Sequence, residues 1–194
     1  MPTPRNRLAG LLVLALAGST SHPGVLAAQD VRASRPPEFA ARGQRETKEV
    51  TFGDWQKLCY KAGGTPRLCR TSITGKFPTG QVAIRVDLIE REDSPKARLQ
   101  LFVPVGMYLQ LPPKLTVEQG QAQQVPYTWC LTNMCVASDV ADANFVAAMD
   151  VGKTMTLDVV DPNLITVTTA IPLTQFAAVH KGDPAKTFEQ QIDE

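Results

Sequence analysis

The sequence predicts a mainly β protein, an antiparallel β-sandwich carrying one or two short helices. Three observations predict it. Apolar residues recur at every second position through four separate runs. Turn-forming Gly, Pro, Asn and Asp residues separate those runs. Only two brief segments change to helical spacing. Alternation places one face of a strand on a core and the other in water, and short strands between frequent turns close as a sandwich.

The elements follow in order. In residues 81–91 (QVAIRVDLIER), Val82, Ile84, Val86 and Leu88 alternate with Ala83, Arg85, Asp87 and Ile89. In residues 97–103 (ARLQLFV), Leu99, Leu101 and Val103 alternate with Arg98, Gln100 and Phe102. Residues 153–160 and 163–171 continue the pattern through Met155, Leu157 and Val159, then Ile165, Val167 and Ile171, with Thr169 interrupting the last series. Gly63-Gly64, residues 78–80, residues 93–95, Pro112-Pro113 and residues 161–163 supply the turns. Residues 142–150 (DANFVAAMD) place Phe145, Val146 and Met149 on one helical face, with Asp142 as N-cap and Gly152 as the terminating glycine. Residues 173–181 (LTQFAAVHK) predict a second helix, too short to persist unless packed on the sheet.

The ends read differently. Arg5 and Arg7 precede an eleven-residue apolar run at 8–18, and small residues at 24–28 supply a cleavage site. That is a secretory signal over residues 1–28, and the run falls short of the roughly 20 residues a spanning helix needs. No later segment is long and apolar enough to cross a membrane, and no cysteine follows the run to carry a lipid. Residues 29–48 hold five basic side chains, a Pro-Pro pair and few large apolar residues, which predicts a flexible leader. Residues 182–194 read as a flexible tail, leaving 49–181 as the domain. Export to the periplasm follows, with presentation at the cell surface also open.

Composition is that of a globular protein, 43% hydrophobic and 20% charged. Formal charge is +1; signal cleavage removes Arg5 and Arg7 from 20 basic residues, leaving 18 against 19 acidic. No clustered basic run marks a nucleic-acid footprint.

Cysteine usage carries the next inference. Four cysteines in an oxidising compartment form two disulfides with three connectivities open. The spacings favour the local pairs, Cys59 with Cys69 and Cys130 with Cys135. The nine-residue gap between the first two does not match zinc-ligand spacing, and CLTNMC is wider than a Cys-x-x-Cys redox pair. In WCLTNMC, Asn133 and Met134 are placed at the apex of a stapled turn. No metal or cofactor is predicted.

Catalytic constellations are weak. His22 falls in the signal, so His180 is the remaining imidazole, with no serine motif beside it. Its other reading is a half-exposed residue at a helix end. Glu90, Glu92 and Asp93 lie in IEREDSP, which suits a solvated hairpin better than a glycosidase pair. The glycines fall at turns, and none forms a phosphate loop. Trp55, Tyr127 and Trp129 flank cysteines, with Phe176 in the second helix; these aromatics pack a core or anchor an interface.

Together the segments FGDWQKLCY, LCR, FVPVGMYLQ, PYTWCLTNMCVA and LTQFAAV resemble the invasion-associated locus B family. The matching positions are Phe52, Gly53, Asp54, Trp55 and Cys59, then Cys69, then Pro104, Gly106 and Leu109, then Cys130 and Cys135, Gly152, and Leu173, Phe176 and Ala177. The resemblance covers about residues 50–180. Gln175 departs from it, standing where the family usually has glycine. The resemblance implies an exported, immunoglobulin-like β-sandwich of Gram-negative bacteria and carries no catalytic residues. The leading expectation is a non-enzymatic periplasmic protein that binds another envelope component, an unknown envelope or host protein. A surface-exposed invasion or adhesion factor and an enzyme or thiol-redox protein are the alternatives. Sheet faces, edge strands and the loops holding Pro112-Pro113 and Gly120 are the candidate binding surfaces.

Overall fold

The computed structural model describes residues 40–47 and 49–190. The expected signal over 1–28, most of the expected leader and the last four residues lie outside the described residues. In chain order the elements are β1 (Gly43–Glu46), β2 (Thr51–Phe52), β3 (Gln56–Ala62), β4 (Leu68–Lys76), β5 (Val82–Arg91), β6 (Arg98–Pro104), β7 (Lys114–Val117), β8 (Gln123–Gln124), β9 (Tyr127–Cys130), β10 (Met134–Val140), α1 (Ala143–Val151), β11 (Thr154–Val160), β12 (Ile165–Pro172), α2 (Phe176–Lys181) and β13 (Lys186–Gln190). They form a five-stranded sheet, β1-β12-β11-β7-β8, and an eight-stranded sheet, β13-β3-β4-β5-β6-β10-β9 with β2 on β4.

The core lies between the sheets. Val86, Leu88, Leu99, Leu101 and Val103 of the larger sheet meet Leu115, Met155, Leu157 and Ile171 of the smaller in one cluster, and all are fully buried. Each such side chain contributes about 1.5–3 kcal/mol relative to exposure. Thr169, which interrupts the apolar series, still belongs to this face: it is buried and lies opposite Leu157.

Trp55 and the two helices complete the packing. The Trp55 ring meets Phe176 edge-on at 4.8 Å, and its indole N–H donates to the Pro172 carbonyl at 2.7 Å. The short α2 therefore survives through Phe176, which is fully buried. Lys57 Nζ donates to the carbonyls of His180 and Gly182 at 2.8 and 3.0 Å, satisfying the end of α2. At α1, the Asp142 carboxylate accepts from the amides of Asn144 and Phe145 at 2.8 and 3.2 Å. Gly152 ends α1 for a reason other than left-handed geometry, since its φ is −74°. A Cβ there would lie 2.5 Å from Val117 Cγ1 and 3.0 Å from the Ala148 carbonyl oxygen.

Two expectations need correction. The sequence predicts a flexible leader and tail, yet β1 and β13 occupy 43–46 and 186–190. Both are solvent-exposed along their length. An edge strand needs no apolar face when it adds backbone hydrogen bonds to an existing ladder, and composition does not register that. The expected mainly β sandwich with two short helices is present, its strands antiparallel except where β1 on β12 and β13 on β3 add parallel edge pairings. Finally, Met134 begins β10 instead of forming the turn apex, and among the described residues positive φ outside glycine occurs at Glu118 and Leu164, not Asn133.

The disulfides join Cys59 to Cys69 and Cys130 to Cys135. Each bridges directly opposed residues of neighbouring antiparallel strands. Restricting loops of these lengths contributes about 2–3 kcal/mol each through the unfolded chain. Reducing both should lower the urea midpoint markedly, and an unchanged midpoint would remove the staple role. Gly152→Ala should cost about 1–3 kcal/mol from overpacking against Val117, read as a lower urea midpoint at unchanged slope.

Candidate functional site

Burial of one side of β5 and β6 forces the other side outward. Register then aligns the outward residues across the eight-stranded sheet. One row reads Phe188, Tyr60, Leu68 and Arg91, and the next reads Lys186, Leu58, Arg70, Ile89, Arg98 and Val140. A third row holds Gln56, Ser72, Asp87, Gln100 and Ser138, and a fourth holds Thr74, Arg85, Phe102, Val136 and Trp129. The face turned away from the smaller sheet is thus rich in arginine and aromatic side chains.

These groups are held in place. Arg85 Nε donates to Asp87 Oδ1 at 2.8 Å, and the guanidinium lies 4.9 Å over the Phe102 ring. Arg70 lies 5.8 Å over Tyr60 and donates to its hydroxyl at 3.3 Å. Lys186 Nζ sits 4.6 Å from the Phe188 ring centre, and Phe188 stacks on Tyr60 at 5.2 Å. Each cation over a ring face is held electrostatically by the ring quadrupole. Asp87 is only 1% exposed, so the one carboxylate at the centre of the face is covered by the arginines it orients. Trp129 is 52% exposed and Val140 46%. Toward the β5–β6 hairpin the face dips into an open basin of about 350 Å³, floored by Leu68, Ile89, Ala97 and Val140 and bordered by Arg91, Lys96 and Arg98.

The aromatic candidates separate. Trp55 and Phe176 belong to the core, whereas Trp129 stands on the outer face. Tyr127 is half-buried; its hydroxyl has no hydrogen-bond partner among the described residues, and burial raises its pKa. Asp54 of the FGDW opening accepts from Gln175 Nε2 at 3.0 Å. Gln175 has φ −100°, so the turn requires no glycine there. Gly106, at φ 89°, does occupy a glycine-favouring turn after β6. The loop holding Gly120 borders a separate depression of about 310 Å³ beside α1, with Gln121, Gln123 and Asp142.

His180 meets carboxylates at both nitrogens: Asp150 Oδ1 lies 2.9 Å from Nδ1 and Glu90 Oε1 lies 3.1 Å from Nε2. The ring stacks on Phe176 at 5.1 Å. A hydrolytic triad needs one imidazole nitrogen facing a nucleophile, and here Glu90 fills that position. The cluster clamps α2 to α1 and β5. Cys135 is buried and Cys130 exposed, on a hairpin and not at the helix N-terminus that would acidify a thiol.

With Trp55, Phe176, Gly152 and both cysteine pairs in place, the comparison with protein families decides the assignment. The chain belongs to the invasion associated locus B family. The family model matches residues 55–184. None of the curated proteins matches the chain. Among solved structures, invasion associated protein B from Bartonella henselae superposes with a TM-score of 0.59 at 21% identity, covering 69% of this chain and 92% of that one. At this identity the likeness establishes the sandwich alone. Among the described residues, no helix is long and apolar enough to cross a membrane.

The rows on the outer face were not legible in the sequence. Arg85, Arg98 and Phe102 stood out only as the off-phase residues of two strands, and strand adjacency was needed to join them to Arg70, Lys186 and Trp129.

The His180 clamp gives a pH prediction. Hydrogen bonding to Glu90 raises the imidazole pKa above its ordinary value, burial opposes this, and Asp150 adds to the rise. A raised folded-state pKa means the clamp's contribution is full below about pH 6.5 and is lost as pH rises through the folded-state value. The urea midpoint should therefore fall with rising pH above this point, and His180→Gln should flatten that part of the profile.

Proposed function

We propose that this protein is an exported, non-enzymatic binding protein that docks another component of the bacterial envelope through the outer face of its eight-stranded sheet. The observation that carries the reading is the register-aligned array of Arg70, Arg85, Arg98, Tyr60, Phe102 and Trp129 on a single rigid face. Arginine and large aromatics are the residue types enriched where interfaces concentrate their binding energy. Two cross-strand disulfides support export, and occupation of both His180 nitrogens by carboxylates supports a non-enzymatic role.

A second reading has one observation in its favour. The structural relative from Bartonella henselae is named an invasion associated protein, which favours a surface-exposed invasion or adhesion factor. Protease treatment of intact cells separates the two: protection supports a periplasmic partner, and degradation supports the host-facing role.

The direct test is photo-crosslinking in living cells. A benzophenone side chain at position 129 or 140, on the outer face, should give one discrete adduct. The same probe at position 151, on α1 where Val151 is 84% exposed, should give none. Equal yield from all three positions would sink the proposal.

A further inference from the structure

We infer that the basin beside the β5–β6 hairpin seats an acidic, partly apolar polypeptide segment of the partner. This rests on the binding reading above and names the partner's chemistry. The inference starts from charge. Arg91 is paired with Asp93 at 2.6 Å, but among the described residues neither Lys96 nor Arg98 has a carboxylate partner. Arg98 is nevertheless oriented, because Nη1 lies 3.2 Å from the Ser138 hydroxyl. A fixed guanidinium with unused donors recognises a carboxylate in paired hydrogen bonds at little ordering cost.

The floor selects the rest of the ligand. Leu68, Ile89, Ala97 and Val140 make it apolar, and the basin is open and shallow. A free phosphate has no use for that floor. A membrane surface cannot follow a depression. An extended segment alternating acidic and apolar side chains satisfies both: its carboxylates reach Lys96 and Arg98 and its apolar side chains cover Ile89 and Val140. The Arg98 row continues through Arg70 to Lys186, so the cationic track runs on across the sheet. Asp87 does not oppose it, being buried beneath Arg85.

The test uses the mature chain with its disulfides intact, titrated with a synthetic peptide alternating Glu and Val. Binding is followed by NMR of the Leu68, Ile89 and Val140 methyl groups. Saturable shifts confined to those methyls are expected. Affinity should fall with added salt and drop roughly tenfold or more in Lys96→Glu/Arg98→Glu, as lost charge pairs at an interface do. That double variant changes only side chains at the rim of the basin, and it should gain binding to the matching Lys-Val peptide. Equal affinity in the variant, shifts at other methyls, or displacement of the peptide by inorganic phosphate or by anionic phosphatidylglycerol vesicles would each overturn the inference. Crosslinking from position 129 in cells carrying the double variant separates the two failures. An adduct that persists there removes the acidic segment and keeps the docking face, whereas loss of the adduct ties the two together.

Discussion

The structure depends on strand register in the eight-stranded sheet. Side chains alternate with a period of two, so a slip of one residue would exchange the two faces completely. The register that buries Val86, Leu88, Leu99, Leu101 and Val103 also turns Arg85, Asp87, Arg98, Gln100 and Phe102 outward. Core and candidate binding surface are two sides of one constraint. No separate device is needed to align the arginines, because hydrophobic burial already aligns them.

Closure of the sandwich is a second consequence. The core is not made by the strands alone: Trp55, Phe145 and Met149 of α1 and Phe176 of α2 join the same buried cluster. Helices this short have no stability of their own. Their persistence follows from the Asp142 cap, the Lys57 ammonium at the end of α2 and the His180 contacts with Asp150 and Glu90. The clamp also gives a structural reason for a histidine, an aspartate and a glutamate to come together, since each belongs to a different element and ties it to the others.

The outer face shows how charge is managed on a sheet surface. Arg70 and Arg85 lie over aromatic rings and share the single buried carboxylate of Asp87, Arg91 pairs with Asp93, and Lys186 lies over Phe188 with no carboxylate partner among the described residues. A ring orients a guanidinium without cancelling its charge. The face therefore keeps a positive field although formal charge over the whole chain is only +1. Near-neutral composition and a strongly patterned surface coexist because acids such as Asp142 and Asp150 at α1, and Asp158 and Asp161 on the smaller sheet and its turn, lie off that face.

Much of this was legible in the chain itself. Alternation in β5, β6, β11 and β12 determined the strands and their buried faces, because solvent exclusion acts on every second side chain wherever the strand lies. Asp142 and Gly152 determined the ends of α1, since caps are local chemistry. The order of FGDW, the cysteines and Gly152 determined the family. What only the tertiary structure decided depends on which strands become neighbours. That choice placed Trp129 outside and Trp55 inside, although both flank cysteines. It made edge strands of Gly43–Glu46 and Lys186–Gln190, whose polar sequences gain stability from a ladder supplied by distant residues. It also assembled the arginine rows from several strands, a juxtaposition no single segment can encode.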